Sequence, residues 1–202
     1  HRGGGTPHCR PPVDTVYFGG GTPSYLGAAR LTKLLRTIRK RCDVTRDAEI
    51  TLEANPDSAC DVRSLRALRR AGFNRISLGV QSADDALLRA IGRIHTFAQV
   101  QEAVAAVRKA GFKNLSMDLI YGLPGQTMQQ WEDTLAAVIA LAPEHISCYG
   151  LTLSPGTPLY QYRNQAALPD DDAQAAMYLY AVSTLEAYGY HQYEISNFAR
   201  LG

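Results

Sequence analysis

Two carboxylates and an amide, Glu53, Asp118 and Gln81, sit late in three separate β-like runs of the chain. A fourth run, Val13 to Phe18, ends in Gly19-Gly20-Gly21-Thr22-Pro23. Groups of the first kind accept hydrogen bonds, and a carboxylate taken out of water needs a partner. Glycine has no side chain and admits positive φ, so a ligand can come up to the backbone at the turn. Together they predict a site for a polar small molecule. Asn55, Tyr121 and Thr152 hold comparable places, just after or at the ends of strands. The same five residues, Gly-Gly-Gly-Thr-Pro, also stand at Gly3–Pro7, but no strand precedes them there. A glycine motif needs its strand, so the first copy reads as part of a flexible lead-in over residues 1–12.

Such groups converge only if the strands are neighbours. Runs at 13–18, 50–54, 76–80, 115–120, 146–151 and 193–196 read as six strands. Between them, Leu31, Leu34, Leu35 and Ile38 have helical spacing, as do Val100, Ala103, Val104 and Val107. A helix bearing Leu65 and Leu68 ends at Gly72. Thr127 and Gln130 have capping-box spacing before a helix that buries Trp131, Leu135 and Val138. A loop spans 152–169, and a last helix covers about 171–188. Ala71-Gly72-Phe73 recurs as Ala110-Gly111-Phe112, and Gly189-Tyr190 takes the same helix-to-strand joint. There glycine can occupy the left-handed position that ends a helix. The alternation predicts parallel strands and one domain over 13–202, a partial (β/α)6 TIM-like barrel, with a flavodoxin-like open sheet as the alternative.

Parallel strands are usually apolar on both faces. Here Ile50, Leu52 and Ala54 alternate with Thr51, Glu53 and Asn55, and Leu115, Met117 and Leu119 with Ser116, Asp118 and Ile120. The helices take the apolar face, so the polar one must line a lumen. The polar groups also lie toward the C-terminal ends of the strands, where barrels carry their chemistry.

With 202 residues, 46% apolar and 20% charged, the chain has the composition of an ordinary globular protein. A net charge of +2 gives no ground for a nucleic-acid or membrane partner. Arg63, Arg66, Arg69 and Arg70 read as a solvated helix face. No apolar run reaches the ~20 residues of a membrane span, and no signal peptide is visible, so a cytoplasmic setting is expected. Cys9, Cys42, Cys60 and Cys148 are scattered, and neither a metal set nor a disulfide framework is expected of them.

Five stretches are specific enough to name a family. They are Tyr17–Pro23, Leu52–Pro56, Arg75–Ser82, Ile91–His95 and Met117–Thr127. This series resembles radical S-adenosylmethionine (SAM) proteins of the oxygen-independent coproporphyrinogen III dehydrogenase group. Tyr149–Thr152, Thr157–Tyr160 and Tyr193–Ala199 are more similar to the HemW-type heme chaperones within it. The resemblance implies a radical SAM core lacking its first strand, with SAM contacts at Gly20, Gly21, Thr22, Glu53, Gln81, Arg93, Asp118 and Thr152. His95 reads as structural. It also implies a [4Fe-4S] cluster and heme in the intact protein. The partners would then be a heme-accepting client and, at most, a membrane that carries that client. The alternative it implies is the dehydrogenase of porphyrin biosynthesis. A third reading is a barrel without a cluster that serves only as a binding module.

One departure stands against these matches. The family's C-x-x-x-C-x-x-C, which holds the cluster, is absent, and the four cysteines cannot replace it at their spacings. The expectation is truncation before His1 and after Gly202. The chain by itself would then bind SAM weakly at best and do no radical chemistry.

Overall fold

β-Branched and aromatic residues from Val13 to Phe18 form a strand in the computed structural model, which describes residues 11–157, 159–160 and 168–201. The first glycine copy, Cys9 and most of the expected lead-in lie outside the described residues. The order is β1 (Pro12–Phe18), α1 (Ala28–Arg41), β2 (Asp43–Ala54), α2 (Val62–Ala71), β3 (Arg75–Gln81), α3 (Asp85–Ala90) and α4 (Phe97–Lys109). It continues with β4 (Asn114–Tyr121), α5 (Met128–Ala140), β5 (His145–Gly150), α6 (Asp171–Ala187), β6 (Tyr190–Glu194) and β7 (Asn197–Arg200). The sheet runs β1-β2-β3-β4-β5-β7-β6. The first five strands are parallel and in chain order, without the reversal a flavodoxin-like sheet requires. The result is a curled half-barrel.

The alternation of the strands divides its two faces. Leu52, Ile76, Leu78, Val80, Leu115, Met117, Ile146 and Cys148 are each at most 1% exposed beneath the helices. The other face carries rows set by register: Glu53, Ser77, Ser116 and His145 in one, Gly79, Asp118, Ser147 and Asn197 in the next. The helix-to-strand joints behave as the repeats foretell. Gly72, Gly111 and Gly189 take φ of 114°, 95° and 81°. Phe73, Phe112 and Tyr190 behind them are all but fully buried. Thr127 and Gln130 cap α5, and Trp131, Leu135 and Val138 are 0% exposed.

Four expectations need correction. The expected sixth strand over 193–196 is instead a hairpin, β6 and β7, and Ser196 lies in its turn. Both pairings of β7 are antiparallel, because residues 195 and 196 are far too few for a helical crossover. β2 begins at Asp43 rather than at residue 50, since its early polar half pairs with Pro12 and Val13 of β1. α3 was not expected: its six residues are too short for a period to show, and Asp84 caps it by accepting from Ala86 and Leu87 N–H. Leu34 is 45% exposed, because α1 buries only Leu31 and Leu35.

The arginines do more than solvate a helix. Arg66 Nη2 donates to Lys109 O and Arg69 Nε to Gly111 O, at the C-terminal end of α4. Among the described residues no helix is long and apolar enough to cross a membrane.

Candidate functional site

After Phe18 the chain turns at Gly20 and Gly21, whose φ are 91° and 61°. Glu53, one strand over, holds that turn. Its Oε2 accepts from Gly20 N–H at 3.0 Å and its Oε1 from the Tyr17 hydroxyl at 2.8 Å. A Cβ on Gly19 would stand 2.6 Å from the Tyr17 ring and 2.9 Å from Glu53 Oε1, so the close approach needs glycine. Burial and the Glu53 carboxylate both push the Tyr17 phenol well above its ordinary pKa. Beside it, Asn55 Nδ2 donates to Thr22 Oγ1 at 3.0 Å.

Asp118 comes from the middle of the sheet, directly beside Gly79 in the ladder. Burial raises its pKa, while the hydrogen bond from Ser77, the nearby Ser147 hydroxyl and the charge of Arg75 pull the other way. The Ser77 hydroxyl lies 3.1 Å from its Oδ2. Gly79 leaves open the space a side chain would fill: a Cβ there would meet Gln81 Nε2 at 3.1 Å and Asn55 Oδ1 at 3.2 Å.

These groups enclose a pocket of about 190 Å³ at the C-terminal rim. Gly21, Thr22, Glu53, Gln81, Arg93 and Asp118 line it together, from segments up to 97 residues apart in sequence. Two expected residues are placed otherwise. Gly20 has its N–H on Glu53, and Thr152 is exposed and outside the pocket lining. Asn55, Ser77 and Gly79 join the lining, as the alternation of β2 and β3 could have foretold.

The lumen continues past Glu53, Ser77 and Asp118 into a second pocket of about 360 Å³. There Ser116 Oγ lies 2.8 Å from His145 Nδ1, and His145 Nε2 lies 2.8 Å from the Tyr193 hydroxyl. Burial and then the Arg75 charge lower the His145 pKa to about 4, so the ring is neutral. Sequence reasoning missed this group, because a lone histidine at a strand's start stands in no motif. Arg75 also reaches into this pocket, with Thr51 Oγ1 at 3.4 Å and Glu49 at 4.0 Å.

Among the described residues no three His, Cys, Asp or Glu side chains are grouped to hold a metal ion. Cys42 and Cys60 are exposed, and Cys148 lies on the apolar face with its thiol pKa raised by burial.

Comparison with known proteins agrees with this geometry. Residues 8–138 match the model of the radical SAM superfamily. The chain is 40% identical to the heme chaperone HemW of Bacillus subtilis over 196 residues, which cover 96% of this chain and 52% of that protein. It is 43% identical to HemW of Lactococcus lactis over 190 residues, covering 93% of this chain and 50% of the relative. The chain thus spans about half the length of the curated relatives it matches. Among solved structures, coproporphyrinogen III oxidase of Escherichia coli, described as a radical SAM enzyme, superposes with a TM-score of 0.82. The two are 30% identical, and the match covers 94% of this chain and 44% of that one.

Proposed function

The chain belongs to the radical SAM superfamily, and on that premise we propose that its rim pocket binds SAM and that the whole protein is a heme chaperone of the HemW kind. One observation carries the nucleoside reading: Gly21, Thr22, Glu53, Gln81, Arg93 and Asp118 converge on one pocket. SAM presents an ammonium, a carboxylate, a sulfonium and a ribose diol. Glu53 and Asp118 supply acceptors for the ammonium and the diol, and the Arg93 guanidinium suits the carboxylate. The pocket leaves capacity for such a guest. Each Glu53 oxygen accepts one hydrogen bond from the protein, and a carboxylate oxygen can accept two. Gln81 has no side-chain hydrogen-bond partner among the described residues.

A [4Fe-4S] cluster in this superfamily supplies the electron that cleaves SAM. The described residues do not fit one: Cys42 and Cys60 are exposed and Cys148 faces the helices. These residues therefore bind and orient the nucleoside. The chaperone reading draws on the relatives named HemW, and delivery of heme to a client follows from that name. The fold shared with coproporphyrinogen III oxidase favours a second reading, oxidative decarboxylation of a porphyrinogen.

Two measurements test these readings. In equilibrium dialysis the whole protein takes up SAM, and Glu53→Ala weakens uptake by about 1.5–3 kcal/mol, the size of a lost charge-assisted contact. Unchanged affinity removes Glu53 from the site. Heme added to the whole protein shifts the Soret band under the chaperone reading. Anaerobic turnover of coproporphyrinogen III would favour the oxidase instead.

A further inference from the structure

Among the described residues, two that are not glycine have a positive φ: Ala142 at 51° and Gln81 at 69°. Ala142 stands just past the end of α5, where a left-handed residue is ordinary. Gln81 ends a strand, and the Ser82 N–H donates back to the Val80 carbonyl at 2.9 Å. A three-residue turn closed around a positive φ is rare and strained, and glycine would carry it with less strain. Such strain persists where the surroundings enforce it, and it gathers at functional sites. The Gln81 side chain fits that pattern. The residue is 7% exposed, lines the rim pocket and has no side-chain hydrogen-bond partner among the described residues.

His95 supplies the enforcement. The register of β3 on β4 slips between Gly79 and Gln81, which leaves Val80 without a partner. His95 Nε2 lies 3.1 Å from the Val80 oxygen. A carbonyl only accepts, so Nε2 carries the proton and donates. The residue is 4% exposed, and burial lowers its pKa. Val80 O thus receives two donors, Ser82 N–H from along the chain and the His95 ring from across it. The segment between α3 and α4 that delivers this ring also carries Arg93 to the pocket.

We propose that His95 is a positioning residue for the rim pocket: by holding the Val80 carbonyl it fixes the turn that aims the Gln81 amide at the bound nucleoside. The inference rests on the SAM reading above. It assigns His95 the task of donating from one atom, which a residue that merely fills space would not have.

The test measures SAM affinity by equilibrium dialysis for the whole protein as wild type, His95→Leu, His95→Gln, Gln81→Gly and the double variant His95→Leu/Gln81→Gly. Far-UV circular dichroism checks folding. A glutamine amide can reach about as far as Nε2, so His95→Gln is expected to stay within about twofold of wild type. His95→Leu loses about fivefold to tenfold, the worth of one hydrogen bond to the ligand. In the double variant the two losses do not add, because both act through the same amide. If His95→Leu does not fold, His95→Asn replaces it, since its amide is too short to reach Val80 O. Additive losses, or glutamine as poor as leucine, overturn the assignment. A wild-type whole protein that takes up no SAM overturns the nucleoside reading and this inference with it. Wild-type uptake with an unchanged His95→Leu affinity overturns this inference alone.

Discussion

Asp118 shows at the scale of one residue how a polar pocket works against the fold that carries it. Burial raises its pKa above the ordinary 3.8, so at neutral pH the folded chain carries a carboxylate that the unfolded chain ionises more easily. Asp118→Asn keeps an acceptor for the Ser77 hydroxyl and removes the charge. The variant is expected to melt at a higher temperature than wild type at pH 7. The difference should shrink as the pH falls through the raised pKa and vanish below 3.8, where Asp118 is protonated in both states. The same variant should bind SAM less tightly. A lower melting temperature at pH 7 would contradict the burial account.

His145 has the opposite sign. Its pKa falls from 6.5 to about 4, so its contribution to stability is whole above 6.5 and is lost as the pH drops toward 4. The loss approaches about 3 kcal/mol for a shift of that size. Urea midpoints at pH 7 and pH 5 measure it. His145→Gln should flatten part of the slope, and His95, whose pKa is also lowered, adds to what remains. An equally steep slope in the variant would count against His145 as the titrating group. Residue-scale facts were unevenly legible in the sequence. Glu53 and Asp118 stood out because a carboxylate in a β-like run is rare. The positive φ of Gln81 left no mark, since only glycine advertises that conformation. His145 and Tyr193 come together through a hairpin that period alone does not reveal.

Between elements, arginines join one helix to the end of the next. Arg39 of α1 donates to Ala71 O at 3.3 Å, at the last residue of α2. Arg66 and Arg69 of α2 reach the carbonyls that end α4, and Arg108 of α4 reaches Ala142 O at 2.9 Å, behind α5. The last carbonyls of a helix lack partners within it and lie at its negative end, so a guanidinium suits them twice over. Arg108 also pairs with Glu144 at 3.0 Å, and Glu144 accepts from Leu115 N–H at the start of β4. Arg108→Met is therefore expected to lower unfolding stability by about 1–2 kcal/mol. Arg70→Ala, at an exposed position of α2, should stay within about 0.5 kcal/mol. Equal effects in denaturant titrations would show that the helix ends do not depend on these arginines. Apart from α3 the helices were readable, because apolar residues recur at helical spacing in several of them and glycine follows α2, α4 and α6. The hairpin was not. Its turn is closed by Glu194, which accepts from Ser196 N–H at 3.0 Å and Asn197 Nδ2 at 2.7 Å, with no glycine pair to announce it. Two strands within 11 residues, leaving no room for a helix between them, were the signal available.

For the molecule as a whole, five parallel strands in chain order bring to one rim groups that the sequence holds far apart. The curled sheet was legible because its polar and apolar residues alternate where a doubly covered sheet would be apolar throughout. That alternation turns Glu53, Ser77, Ser116 and Asp118 toward one lumen while Leu52, Leu78 and Met117 pack under the helices. The half-barrel spans about half the length of its curated relatives, so the proposed chaperone activity is a matter for the whole protein and the proposed nucleoside binding for this part of it. Backbone amide shifts of the ¹⁵N-labelled chain during SAM titration test the pocket most directly. The account predicts the largest changes at Gly20 to Thr22, Gln81 and Asp118. Changes confined to other surfaces would contradict it.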